Sequence, residues 1–166
     1  MRTEYPELGQ AVMGFNGSVG WTTEPGSRPT VVRDGALGDL HADALFDRYD
    51  EENLVSAETV GFANFDGRRC VQLKIVRVPG RESTEYFDMA TGLFAGSTQP
   101  RATDKGAVTR RTVVSDYRTS DGIKLPRRIQ ITVAGVKTIV KVIKITHNRV
   151  DPAVFAPPSS LRSTAR

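Results

Sequence analysis

The chain has 166 residues and a mass of 18.2 kDa, the size of one domain that buries roughly 70% of its unfolded surface. Hydrophobic residues at 39% and charged residues at 25% exclude a disordered chain, and no apolar run nears the roughly 18 residues a membrane-spanning helix needs. The net charge of +4 hides a split: residues 1–100 carry 9 Lys/Arg against 15 Asp/Glu, residues 101–166 carry 14 against 4.

The first residues are polar, with no apolar core of a secretory leader. Ala11 to Thr23 alternates as a strand, with Phe15, Val19 and Trp21 on one face and Asn16, Ser18 and Gly20 on the other. Gly14, Gly17 and Gly20 within it predict strong curvature or the close approach of another segment. One helix follows. Asp34 or Asp39 caps it, and Leu37, Leu40, His41, Ala44, Leu45 and Tyr49 recur at three- and four-residue steps. Asp39, Asp43, Asp47 and Asp50 mark its wet side, so it should lie across a sheet face. Val55 to Phe65 and Arg69 to Val78 are the next strands; in the second, Val71, Leu73 and Ile75 face one way, Gln72 and Lys74 the other.

The second half reads as a meander. Thr84 to Met89 and Leu93 to Ser97 flank Ala90-Thr91-Gly92, a hairpin connection with glycine where φ must be positive. Val108 to Arg118 runs into Thr119-Ser120-Asp121-Gly122, a strong turn signal, and Ile123 to Val133 follows. Pro126 near its start fits an edge or a bulge. Ala134-Gly135 turns the chain into Val136 to Thr146, which is rich in β-branched residues. After Asp151 the chain reads as a tail in which Ala153-Val154-Phe155 docks, with residues 159–166 flexible. The expectation is a mainly β domain over residues 1–158: a strongly curved antiparallel sheet, an open half-barrel, with one short helix on its concave face.

Several segments resemble a known family. Glu85-Tyr86-Phe87-Asp88 with Thr91-Gly92-Leu93, then Ser115-Asp116-Tyr117-Arg118, Asp121-Gly122-Ile123-Lys124-Leu125-Pro126, and Asn148-Arg149-Val150-Asp151-Pro152-Ala153-Val154-Phe155 are in question. Their order over residues 55–158 is similar to the strand and turn pattern of bacterial outer-membrane lipoprotein-sorting proteins, the LolA/LolB-like carriers. The resemblance implies an open half-barrel lidded by helices, an acyl chain or other apolar ligand in its concavity, and a periplasmic location. The chain departs from the pattern at its front, where the signal peptide and early helix are missing; this leaves the cytoplasm open as well. An incomplete front exposes a sheet edge and invites pairing with a second copy.

Catalytic constellations fail one by one. Asp116 and Arg118 flank Tyr117 and read as a cross-strand ion pair. Glu85 and Asp88 are three apart on a strand, hence on opposite faces, which is wrong for paired acid–base carboxylates. No nucleophile elbow and no glycine-rich phosphate loop occurs, and Asn16-Gly17-Ser18 sits in mid-strand. His41 and His147 are too few for a metal site, and Cys70 reads as a small buried residue. No cofactor is expected. The basic half has only Tyr117 and Phe155 as aromatics, which argues against nucleic acid and leaves weak contact with an anionic membrane surface.

The remaining candidate site is the concave face: Phe15, Val19, Trp21, Val71, Leu73, Ile75, Phe87, Leu93, Ile129 and Ile131, all in phase on their strands. They form either a core under the helix or a binding surface for an apolar ligand, because a half-barrel has more apolar face than one helix covers. Sequence therefore favours non-enzymatic binding or carriage of a lipid-like ligand. The alternative is an interaction module that dimerises through its sheet and takes no small molecule.

Overall fold

The computed structural model describes residues 2–5, 11–33, 36–38, 40, 54–78, 81–103, 106–145 and 150–162. The protein is mainly β, as expected, but its strands form two antiparallel sheets in place of one. The chain groups into two compact units, Met1–Arg48 with Asn148–Arg166, and Tyr49–His147. The reason lies in connection length. Strands joined by short turns pair with each other, and the long stretch between Val32 and Ser56 lets a second meander start afresh.

In the first unit β1 (Arg2–Tyr5), β2 (Ala11–Phe15), β3 (Gly20–Thr23) and β4 (Thr30–Val32) follow one another in a four-stranded sheet. The single strand expected over residues 11–23 is thus a hairpin. Asn16 breaks it: its Oδ1 accepts from the Ser18 and Val19 amides at 3.0 and 2.8 Å, and Gly17 supplies a positive φ of 104°. Gly14 is opposite Trp21 in the register, and a Cβ there would collide with the indole ring. Gly20 is needed for a different approach. The side chains of Leu40 and Leu37, from the helical residues 36–38 and 40, lie directly over it. The expected helix thus packs on the four-stranded sheet; its residues 41–50 lie outside the described residues. Among the described residues of this unit, Phe15, Trp21 and Leu40 are the buried side chains. A 3-10 turn at Pro152–Phe155, capped by the Asp151 carboxylate, and a short helix at Ser159–Arg162 also belong to it, so part of the expected tail is helical.

The second unit is a seven-stranded meander in strict chain order. It comprises β5 (Ser56–Phe65), β6 (Arg68–Val78), β7 (Arg81–Asp88), β8 (Phe94–Thr103), β9 (Gly106–Ser120), β10 (Ile123–Val133) and β11 (Val136–Lys141). Two-residue turns at Asp66-Gly67, Asp121-Gly122 and Ala134-Gly135 hold both residues at positive φ, the geometry that matches the twist of the flanking strands. At the β7–β8 turn Asp88 Oδ1 accepts from the Ala90 and Thr91 amides, and Gly92 takes φ 69° as its position requires. Pro126 is on an inner strand, contrary to the edge expectation. It is tolerated because it lies beyond Lys141, the last β11 residue in the ladder, where β10 has only β9 beside it.

The register defines two faces. Leu73, Glu85, Ser97, Thr112, Ile131 and Thr138 are successive cross-strand partners on one, here the Ile131 face. Gln72, Tyr86, Gly96, Val113, Gln130 and Ile139 are partners on the other, the Phe65 face. A buried apolar cluster is on the Phe65 face: Phe65, Cys70, Ala95 and Val113, with Tyr86 packed against them. Phe65 stacks on Tyr86 at 4.0 Å between centroids, and the Arg111 guanidinium sits 4.6 Å from the Phe65 ring centre. Asp66 pairs with Arg111, and Arg68 Nη2 donates to the carbonyls of Ala95 and Val114. The β5–β6 turn therefore reaches residues of β8 and β9, passing over β7. Cys70 has no exposed surface, and burial pushes its thiol up from its ordinary value. At pH 8, a disulfide reagent should label folded protein at least about a hundredfold more slowly than protein in 6 M urea. Complete labelling of folded protein at the unfolded rate would show that this cluster opens freely.

Candidate functional site

The structure brings six of the ten predicted site residues to one surface. Val71, Leu73, Ile75, Phe87, Ile129 and Ile131 all occupy the Ile131 face, linked by the pairs Val71–Phe87, Ile129–Val114 and Ile131–Thr112. Leu93 is in the turn before β8, half-buried. Phe15, Val19 and Trp21 belong to the four-stranded sheet of the other unit, so the ten do not share one sheet. Within the six, only Ile75 is fully buried; Val71, Leu73, Phe87, Ile129 and Ile131 remain half-buried. The stripe extends over β11, where Val136 and Val140, the partners of Val133 and Ile129, are 70% and 39% exposed.

A buried carboxylate interrupts this face, at a position the sequence weighs only as half of a failed acid–base pair. Glu85 lies between Leu73 and Ser97 and is 1% exposed. Its Oε1 accepts from Arg77 Nη1 at 2.8 Å, and the Arg77 side chain is itself only 12% exposed. A buried pair of this kind survives because each charge lowers the desolvation penalty of the other. The expectation that Glu85 and Asp88 point apart holds, since Asp88 is spent on the β7–β8 turn.

A cavity of about 360 Å³ opens where β10 and β11 end, lined by Asp116, Arg118, Arg127, Arg128, Lys141, Val142 and Ile143. Asp116 stands at φ 53° and takes Arg118 side-on, Nε to Oδ1 at 3.1 Å and Nη2 to Oδ2 at 3.2 Å. This pair runs along β9, correcting the cross-strand pairing expected for it. Tyr117 between them points to the opposite face and donates its hydroxyl to the Phe94 carbonyl at 2.7 Å; burial raises its phenol above the usual value. The Val142 amide donates to the Arg127 carbonyl at 2.8 Å and holds the chain leaving β11 against the cavity.

Among the described residues, no group of three His, Cys, Asp or Glu side chains gathers to hold a metal. His41 and His147 lie outside the described residues. No described helix is long and apolar enough to cross a membrane. Comparison with family models, with curated proteins and with solved structures finds no match for this chain. The site must therefore be read from its own chemistry.

Proposed function

We propose that this protein binds an apolar, lipid-like ligand on the Ile131 face of its seven-stranded sheet and performs no catalysis. The observation that carries the reading is an in-register apolar face left partly open: five of its six predicted residues are half-buried rather than closed in a core. Leaving such side chains in water costs about 25 cal/mol per Å² of apolar surface, a cost that a ligand removes. The reach of Phe65, Asp66 and Arg68 to β8 and β9 supports a curled sheet, as the half-barrel of the lipoprotein-carrier resemblance requires. Carriage of cargo between membranes of the bacterial envelope is the role that resemblance suggests.

The test uses a neutral apolar fluorophore, N-phenyl-1-naphthylamine. Ile131→Asp places a charge between Thr112 and Thr138 in the middle of the stripe, where desolvation costs several kcal/mol unless water reaches it. An open binding face leaves the variant folded but abolishes probe uptake. Thr132→Asp, on the other face between Arg111 and Lys137, should change neither folding nor uptake. A wild-type protein that takes up no probe, or an Ile131→Asp chain that unfolds, would overturn the reading in favour of a closed core.

A second reading draws on the sheet edges. Exposed apolar side chains concentrate on the two outer strands, Val60 and Phe62 on β5 and Val136, Ile139 and Val140 on β11. Edge strands of this character pair with further strands, so a homodimer through the sheet is the alternative function. Sedimentation that stays monomeric at hundreds of micromolar would exclude it.

A further inference from the structure

We propose that the Phe65 face of β9, β10 and β11 is a docking surface for an anionic lipid bilayer, with Lys124, Arg128, Lys137 and Lys141 against its phosphates and Ile139 in its interface. The proposal is independent of the apolar-ligand reading, which concerns the opposite face of the same sheet.

Register collects the charge. Lys137 and Lys141 flank Ile139 on β11 at two-residue steps, and Arg128 is the direct partner of Lys141. Lys124 lies four residues before Arg128 on β10 and shares its strand phase. Lys137 is level with Thr132, so the four cations span eight residues of β10, about 27 Å at the usual rise of a strand. Arg111 is also on this face, and its charge is met by Asp66. Every other residue of the three strands on this face is neutral. Among the described residues, no carboxylate pairs with Lys124, Arg128, Lys137 or Lys141. Arg128 and Lys141 are like charges directly opposite each other, which weakens a sheet until an anion screens them.

Charge alone would suit any polyanion. The side chains among the cations choose between them. Ile139 is 44% exposed in the middle of β11, and Ile143, two residues past Lys141, is 88% exposed and borders the same cavity as Arg128 and Lys141. Exposed aliphatic side chains ringed by cations leave water at the boundary between headgroups and acyl chains, while the cations stay with the phosphates. Nucleic acid offers such side chains nothing and calls instead for open aromatic rings on which bases stack. The rings of this face are already used. Phe65 and Tyr86 stack on each other, and Tyr117 is half-buried with its hydroxyl on the Phe94 carbonyl. All six residues of β11 are exposed, so the outer strand can meet a flat partner without rearrangement.

Co-sedimentation of the full chain with vesicles tests the proposal, using phosphatidylcholine alone and a phosphatidylcholine–phosphatidylglycerol mixture. Wild type should bind only the mixed vesicles, and the binding should fade between about 50 and 200 mM salt. Each cation near such a surface strengthens binding about fivefold, so Lys124→Gln/Lys137→Gln/Lys141→Gln should weaken it about a hundredfold. The control Arg69→Gln/Lys74→Gln/Arg118→Gln removes the same net charge from elsewhere and should stay within about fivefold of wild type. Ile139→Thr/Ile143→Thr should lose about tenfold and keep the salt dependence. All the substituted side chains are exposed, so each variant should keep the wild-type urea midpoint. Absence of binding to the mixed vesicles would overturn the proposal, as would equal losses in the two triple variants, which would mean that net charge acts without a surface. Binding that ignores salt, or that needs no phosphatidylglycerol, would assign the contact to apolar side chains elsewhere. An isoleucine variant that binds like wild type would remove the reason to prefer lipid. A DNA duplex bound more tightly than the mixed vesicles, and lost with the three lysines, would give the face to nucleic acid.

Discussion

Gly96→Ala is expected to cost about 3 kcal/mol or more, seen as a fall in the urea midpoint of the seven-stranded unit with little change in slope. Gly96 holds φ 148°, where an L side chain is strained, and there is no room for one. A Cβ would strike the Thr112 carbonyl oxygen across the ladder and lie 2.7 Å from Phe65 Cε1. The backbone has this shape because Ala95 is an extra residue: Tyr86 pairs with Gly96 and Phe87 with Phe94, so β8 bulges by one. Phe65 uses the bare backbone at Gly96 to lie flat on the sheet and stack on Tyr86. Gly122→Ala is the matched control. Its φ of 81° is also positive, but nothing lies within 4 Å of the added methyl, so it should cost on the order of 1 kcal/mol. Equal losses at the two positions would mean that backbone strain alone acts and the Phe65 stack contributes nothing.

That bulge also marks what the sequence hides. The β7–β8 turn and the Asp121-Gly122 and Ala134-Gly135 turns are legible because their chemistry is local: an aspartate that caps, a glycine or its neighbour at positive φ. So is the phase of β10, where Ile129, Ile131 and Val133 alternate with polar residues and share a face. The hairpin at Asn16 is not, because apolar alternation continues through it from Phe15 to Val19 and Trp21. The hydrogen bonds to Asn16 Oδ1, with Gly17 at positive φ, show that the strand has ended. The cluster of Phe65, Cys70, Ala95 and Val113 escapes for a different reason. Phe65 reaches it across intervening strands, and no period in a single segment encodes that contact. The basic cavity is likewise a product of register. Arg128 and Lys141 are far apart in sequence and meet only because Ala134-Gly135 sets β11 against β10 with Val133 opposite Val136.

Glu85 and Arg77 offer the other large effect, and it bears on why a charge stands in an apolar face. Arg77→Met should destabilise by about 3–5 kcal/mol, because it strips a carboxylate that is 1% exposed of the guanidinium 2.8 Å away. Glu85→Leu should cost less. The Arg77 side chain is 12% exposed and long enough to carry its charge toward water, while leucine suits the neighbours Leu73 and Ile75. The combination Arg77→Met/Glu85→Leu should return to within about 1–2 kcal/mol of wild type or exceed it, since an apolar pair avoids both desolvation penalties. The urea midpoints of wild type and the three variants form a double-mutant cycle, and a coupling below about 1 kcal/mol would show that water reaches the pair. Suppose instead that the coupling is large and the double variant is as stable as wild type. Stability would then give no reason to keep the ions, and their role must be sought on the Ile131 face. Naphthylamine uptake by the double variant separates the two roles that remain. Unchanged uptake would make the pair a device that fixes strand register between β6 and β7. Altered uptake would place Glu85 beside the ligand.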